Sequence, residues 1–349
     1  MSDATELKVI NPLDYPEWDK LVLSNKDYSF FHSLAWARVL YETYDFKPLY
    51  FSLINANRLA ALIPLMEVKS ILTGKRGVSL PLTDYCEPII SEGIDGTRVF
   101  NFIKKYAENA GWKYIEIRGA GNLFCDTPNS AFFYGHSLNL NGDKDQVFAR
   151  FKSNTQRNIK KAIREGVEVK IDNSLDSIKE FYRLNCMTRK EHGLPPQPFH
   201  FFKKVYDHII SNDHGFVSLA SYKGKVVAGA ICFHFGTKAI YKYGASDKTY
   251  QHLRPSNLVM WEAIKWCSMN GCDYFCFGRT ETENTGLRQF KNSWGAEEAN
   301  IKYYKYDVTK SKFLLEDSLR VKDSIKNIFK RMPVPLLRAI GTVLYRHVG

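Results

Sequence analysis

Twice along the chain, alternating apolar and polar positions give way to a helical period, each time in the same order. Phe100–Ile117, FNFIKKYAENAGWKYIEI, reads as an amphipathic helix closed by a glycine and followed by a strand, and Met260–Phe277, MWEAIKWCSMNGCDYFCF, repeats that layout. At a constant offset of 160, Lys105 matches Lys265, Gly111 matches Gly271 and Tyr114 matches Tyr274. Upstream of each copy lies a strand–turn–strand pattern, Pro48–Leu65 with NANR at its turn and Gly215–Phe233 with YKGK. The shared order predicts a tandem duplication: two related α/β domains. The first is expected over 1–141, ending at the linker NLNGDKD, and the second over 142–309. Residues 310–349 are expected to form a helical tail, in which LEDSLRVKDSIKNIFKRM is stopped by PVP. A short helix after PVP would place Leu336, Leu337, Ile340, Val343 and Leu344 on one face.

Composition narrows the class. A length of 349 residues suits about two domains. With 44% hydrophobic and 14% aromatic residues, the chain can bury sizeable cores. The acidic start MSDATELKVINPLDYPEW lacks the apolar stretch of a signal peptide, and no run approaches the ~18 apolar residues of a membrane span. Seven cysteines without CxxC spacing are expected to be reduced core thiols, so a cytoplasmic location is expected.

Charge points to anionic partners. Residues 310–349 carry nine Lys/Arg and three Asp/Glu, a net +6 out of the chain's +12. A second basic cluster, SNTQRNIKKAIREGVEV, sets Arg157, Lys160, Lys161 and Arg164 on one helical face. Such a face either grips phosphate or carboxylate groups or is simply solvated.

Familiar catalytic motifs are absent. No GxGxxG follows a strand, LTGKRG has the wrong spacing for a P-loop, and neither HExxH nor GxSxG occurs. The nine histidines are scattered, so no dedicated metal site is expected. One long polar connection stands out, GRTETENTGLRQFKNSWGAE (Gly278–Glu297), between the apolar DYFCF and the alternating IKYYKY. It sets Lys291 between Phe290 and Trp294, and loops on a rigid scaffold are where chemistry is usually placed.

Together with FFHSLAWARVL, SLPLTDYCEP, RNIKKAIREG and HLRPSNLVMWEAIKW, in that order over nearly the whole chain, this segment resembles the FemAB-like group of GNAT-fold acyltransferases. That group includes enzymes that add amino acids to peptidoglycan precursors. The resemblance implies two tandem GNAT-like domains with mixed sheets and a cleft between them. It also implies that Lys291 lies at the reaction centre, where a fixed ammonium stabilises the oxyanion formed when an amine attacks an ester or thioester. A surface lysine in a long turn is the alternative, with Phe290 and Trp294 as scaffold in either case. Arg279 is either a second anion contact or a structural ion-pair partner.

By the same resemblance, Arg189 and Thr188 in CMTRKEHG correspond to acceptor-binding positions, and Arg38 is a first-domain counterpart, with arginine in place of lysine. Asp84 and Tyr85 in SLPLTDYCEP either orient the amine, with Asp84 a candidate to take its proton, or belong to an ordinary capped turn. Two departures bear on the implied activity. The RxxGxG/A loop that cradles the pyrophosphate of coenzyme A is replaced by HLRPSNL, which favours aminoacyl-tRNA over acyl-CoA as donor. The long helical hairpin of some peptidoglycan-bridge enzymes is missing. The expected activity is transfer of an aminoacyl or acyl group onto an amine of an anionic cell-envelope precursor, with no resident cofactor. Peripheral membrane contact is expected through 310–349. The alternatives are an acyl-CoA-dependent N-acyltransferase on a sugar or peptide amine, and a non-catalytic module binding nucleic acid or membrane.

Overall fold

Both strand–turn–strand patterns fold as antiparallel hairpins, and each is extended in the same way. The computed structural model describes residues 6–55, 58–120, 123–124, 127–315 and 323–347. The chain begins with β1 (Leu7–Ile10), α1 (Trp18–Leu23), α2 (Leu34–Tyr44), β2 (Lys47–Asn55), β3 (Arg58–Ser70), β4 (Gly74–Val78), β5 (Ile89–Ile90), α3 (Gly96–Asn109) and β6 (Tyr114–Arg118). It continues with β7 (Ala131–Asn139), α4 (Lys144–Ala149), α5 (Ser153–Arg164), β8 (Glu168–Ile171), α6 (Leu175–Glu191), α7 (Phe199–His208), β9 (Gly215–Tyr222), β10 (Lys225–Phe235) and β11 (Lys238–Ser246). The last elements are α8 (Pro255–Met269), β12 (Tyr274–Glu281), α9 (Thr285–Asn292), β13 (Glu297–Asp307), β14 (Lys312–Leu314), α10 (Asp323–Arg331) and α11 (Val334–Leu344).

Two compact units result, one formed by Met1–Phe133, Asn300–Leu319 and Leu344–Gly349, the other by Tyr134–Ala299 and Arg320–Val343. In the first, the strand order is β1-β2-β3-β4-β6-β13, with β5 beside β3 and β14 beside β13. Strands β2, β3 and β4 are antiparallel, and β6 then runs parallel to β4 with Gly77 opposite Ile115. A parallel pair requires a crossover, and α3 provides it. Asp95 caps that helix by accepting from Thr97 N, and Val99, Phe100, Ile103 and Ala107 form its buried stripe.

In the second unit the order is β7-β12-β11-β10-β9-β8. Strands β9, β10 and β11 are antiparallel, and β12 runs parallel to β11 with Ala239 opposite Phe275. Here α8 is the crossover. It is apolar on most faces because it packs against α5 as well as against β9 and β10. Both units thus carry hairpin, third strand, helix and parallel strand in the same order. The third strands, GKRGV and KAIYKYGAS, escape the sequence pattern because neither alternates cleanly. The turn NANR lies partly outside the described residues.

The limits of the units follow strand pairing, whereas limits at 141 and 309 follow linker composition. Tyr303–Asp307 of β13 pair with β6, and Lys305–Asp307 pair with β14. The tail is correspondingly less separate than its charge suggests. Phe313 joins Phe100, Phe124 and Tyr306 in an aromatic cluster of the first unit. In the second unit, α11 buries Leu337 and Gly341 while Leu336 and Val343 stay exposed, so the expected single apolar face is divided. The helical reading of residues 316–322 lies outside the described residues, as does Cys125. The other six cysteines are buried and form no disulfide among the described residues.

Candidate functional site

The polar connection after DYFCF is not a loop throughout. It continues β12 to Glu281 and then forms α9, whose start is capped by Asn284 Oδ1 accepting from Leu287 N at 3.1 Å. In this short helix Thr285, Leu287 and Gln289 are exposed, and Lys291 is the buried residue. Two aromatics pin it: Phe290 packs edge-to-face on the fully buried Trp294, which also meets Phe151 at 5.0 Å between ring centroids.

That anchoring turns Lys291 inward. Its residue is only 4% exposed, and its ammonium donates to the main-chain carbonyls of Gly278 at 3.1 Å and Arg279 at 2.8 Å. Gly278 has φ +69°, a left-handed backbone that interrupts the regular alternation of β12 and that glycine adopts without steric cost. A buried ammonium needs such partners. Their arrangement fixes where its charge sits.

A second group of side chains, not anticipated from the sequence, lies beside it. His136 on β7 is buried, with Nε2 3.2 Å from Glu298 Oε2 at the start of β13, and neither ring nitrogen has an aligned hydrogen-bond partner among the described residues. Burial holds its pKa below 6.5, and the charge of Lys291 lowers it further while Glu298 opposes both. Glu298 is itself bound by Arg288 of α9 through Nε at 2.7 Å and Nη2 at 2.6 Å, and by Asn292 Nδ2 at 3.3 Å. The bidentate arginine, ahead of every other cause, brings the Glu298 pKa down to about 2. Arg288 also stacks 3.7 Å above the Tyr134 ring. The result is a neutral imidazole next to a fixed ammonium, steadied by a carboxylate–guanidinium pair. The available sequence signal was a histidine inside the apolar strand AFFYGHSLN.

Other expected residues of this unit fall into different roles. Arg279 supplies its carbonyl to Lys291 and pairs its guanidinium with Glu281 at 3.5 Å. The Thr188 hydroxyl is already committed to the backbone of Ser246, donating to its carbonyl at 3.3 Å and accepting from its N–H at 3.1 Å. It therefore ties α6 to the end of β11, which accounts for it without a ligand. Arg189, one residue on and half-buried, donates to Pro195 O at 3.4 Å. Arg157 and Lys160 lie on the exposed face of α5, opposite the buried Thr155, Ile159 and Ala162.

Residues 149–292, from the end of α4 through α9, match the family model described as an acetyltransferase (GNAT) domain. Over 135 residues the chain is 27% identical to a UDP-N-acetylmuramoylpentapeptide-lysine N(6)-alanyltransferase of Weissella viridescens, covering 39% of this chain and 40% of that one. Over 78 residues it is 32% identical to a lipid II:glycine glycyltransferase of Staphylococcus haemolyticus, covering 21% and 19%. The alignments thus span less than half of either relative. Among solved structures, FemX superposes with a TM-score of 0.67 at 14% identity, over 85% of this chain and 96% of FemX. A tandem GNAT protein from the clavulanic acid biosynthesis pathway superposes with a TM-score of 0.52 at 8% identity, over 87% and 98%. The chain carries a GNAT domain homologous to the Fem-type transferases. Its fold is that of tandem GNAT proteins.

Within this Fem-type fold, the first unit brings two of the expected segments together. Trp36 of α2 donates from Nε1 to Thr83 Oγ1 at 2.8 Å, and His32 Nε2 lies 3.1 Å from Glu87 O. Arg38 is half-buried on the same helix as Trp36. In SLPLTDYCEP, Leu80 and Leu82 have φ of +54° and +61°, a strained choice for leucine, and such outliers cluster at functional segments. The Asp84 carbonyl accepts from the Tyr303 hydroxyl, and Tyr85 packs on the cluster of Phe133, Ile301 and Tyr303.

At α8, where GNAT proteins that use coenzyme A present a glycine-lined backbone, Arg254 adopts φ +61° and Pro255 occupies the first helical turn. Proline lacks an N–H, and no glycine lets a pyrophosphate approach the backbone there. These residues do not fit the cradle that coenzyme A requires.

Proposed function

We propose that this chain transfers an aminoacyl group from an aminoacyl-tRNA to an amine on a peptidoglycan-type precursor. The observation that carries this reading is the Lys291 ammonium, buried on α9 and held by the Gly278 and Arg279 carbonyls. The names of the relatives, an alanyltransferase and a glycyltransferase, support the substrate class. The poor fit of Arg254 and Pro255 to coenzyme A supports the donor.

In the reaction the neutral acceptor amine attacks the ester carbonyl carbon, forming the C–N bond and placing negative charge on the carbonyl oxygen. A positive charge already fixed at Lys291 stabilises that oxyanion without reorganising. Collapse breaks the ester C–O bond, and the proton lost by the amine nitrogen ends on the departing ribose hydroxyl. His136, kept neutral by burial and by Lys291, adds no second positive charge to oppose the ammonium. On this reading Arg189 contributes positive charge towards the anionic acceptor, and Arg157 and Lys160 offer an exposed basic face to the tRNA backbone.

No helix among the described residues is long and apolar enough to cross a membrane. Ile325 and Ile328 are exposed on α10 beside Lys326, Lys330 and Arg331, which supports a peripheral contact of the tail with an anionic bilayer.

The test is incubation of the purified protein with a muramyl-pentapeptide acceptor and either labelled aminoacyl-tRNA or labelled acyl-CoA, followed by mass spectrometry of the acceptor. Aminoacylation from tRNA is expected. Transfer from acyl-CoA alone would replace this donor, and an unmodified acceptor with both donors would overturn the reading.

A further inference from the structure

We propose that the tip of the β3–β4 hairpin is a contact point that seats the protein on an anionic phospholipid bilayer. Ile71 is 97% exposed, more than any other large hydrophobic side chain among the described residues, and its neighbour Leu72 is 69% exposed. Turns of this length normally carry small polar residues or glycine. Two aliphatic side chains at the outermost point therefore call for a cover.

The tip is built rather than loose. Ser70 Oγ accepts from both Leu72 N and Thr73 N at 3.1 Å, and the imidazole Nδ1 of His347 lies 3.1 Å from the same oxygen. Arg76, buried beneath, bonds Thr73 Oγ1 and donates to His347 O at 2.9 Å. The Ser70 and Thr73 hydroxyls and the N–H groups of Leu72 and Thr73 are thus bonded from within the protein. Nothing in that scaffold needs an apolar residue at 71 or 72.

The surroundings are basic. Lys69 and Lys75 face each other across the hairpin, and the Lys113 side chain lies over Gly74 so closely that a Cβ there would collide with it. The acid beneath them is the buried Glu67, which takes Lys75 at 3.0 Å and Lys69 at 3.7 Å. Arg346 adds an exposed positive charge next to His347. Bare aliphatic side chains ringed by lysines match an anionic bilayer, where apolar groups enter the acyl boundary and cations meet the headgroups. A protein partner covering the same point would need no such ring.

The proposal does not depend on the transfer reading, because vesicle flotation needs neither donor nor acceptor. Full-length protein should float with phosphatidylglycerol–phosphatidylcholine vesicles, less so at high salt, and poorly with pure phosphatidylcholine. The double variant Ile71→Ser/Leu72→Ser should keep the wild-type melting temperature and lose vesicle affinity by roughly tenfold or more. Ile325→Ser/Ile328→Ser on α10 separates the tail's contribution from that of the tip. Wild-type flotation by the Ile71→Ser/Leu72→Ser protein, or no flotation of the parent, would overturn the proposal. So would unchanged flotation accompanied by conversion of a dimer to a monomer, which would make the tip a contact between copies.

Discussion

The Lys291 ammonium donates to the Arg279 carbonyl at 2.8 Å, so a helix residue and a strand residue twelve positions apart hold one positive charge at a fixed point. That charge is the centre of the proposed chemistry. Lys291→Ala should lower turnover by roughly 10²–10³-fold, the scale of losing one oxyanion donor. Burial adds a second expectation: the substitution leaves the Gly278 and Arg279 carbonyls without their donor and should cost about 1–3 kcal/mol of stability. Lys291→Met keeps most of the volume and should separate the effects. Normal turnover by a folded Lys291→Met protein would remove this residue from the chemistry.

The imidazole of His136 contributes to the acid limb of the stability curve. Its folded-state pKa is held below 6.5, so the unfolded chain binds the proton more readily. Its contribution is complete above pH 6.5 and is lost as pH falls through the lowered folded value. His192 and His234 are lowered for the same first cause, burial, and act in the same direction. Glu298, down at about 2, adds a second loss below about pH 4.5. Glu298→Gln should shrink that second loss, to which the lowered Glu67, Asp172 and Asp247 also contribute, and push the His136 titration lower, read by NMR of the imidazole resonances.

Thr188 and Arg189 are neighbours with separable expectations. Thr188→Val breaks two bonds to the Ser246 backbone and should lower the melting temperature with little effect on the acceptor KM. Arg189→Ala should mainly raise that KM, because a charge that holds ground state and transition state alike leaves kcat unchanged. Steady-state kinetics and thermal melts on the two variants decide it.

Gly341 tests how the tail is attached. Alanine is favoured over glycine in a helix by about 1 kcal/mol, yet a Cβ at this position would run into the Pro196 carbonyl. Gly341→Ala should therefore destabilise the protein, by about 1–3 kcal/mol if α11 stays docked. Truncation after Asp307 would remove β14 and the docked Leu337 as well, so a loss of folded protein is expected where a free tail would be dispensable. Thermal melts of both proteins provide the check.

Trp36 reports on the first unit. Trp36→Phe keeps the aromatic packing but strands the buried Thr83 hydroxyl, at a cost of about 1–3 kcal/mol. Because Thr83 precedes Asp84, proteolysis or hydrogen exchange should show the 79–88 segment loosening before the rest of the unit.

Period and order alone determined the duplication. The stripe Val99, Phe100, Ile103 and Ala107, the turn YKGK, and the glycines after α3 and α8 are local signals, and local signals survive in a one-dimensional reading. The motifs around Lys291 were legible for the same reason, since FK and WG sit within one helical turn of each other. Its burial was not legible, because a lysine in a polar stretch reads as exposed until Phe290 and Trp294 are seen to turn α9 inward. Nor was the pairing of His136 with Glu298, which are 162 positions apart and meet only because strand pairing brings β7 and the start of β13 to α9. The role of Thr188 was decided the same way, by a backbone group 58 residues distant. Short-range periodicity encodes elements, whereas the protonation, direction and partners of a polar side chain depend on what the folded chain packs around it.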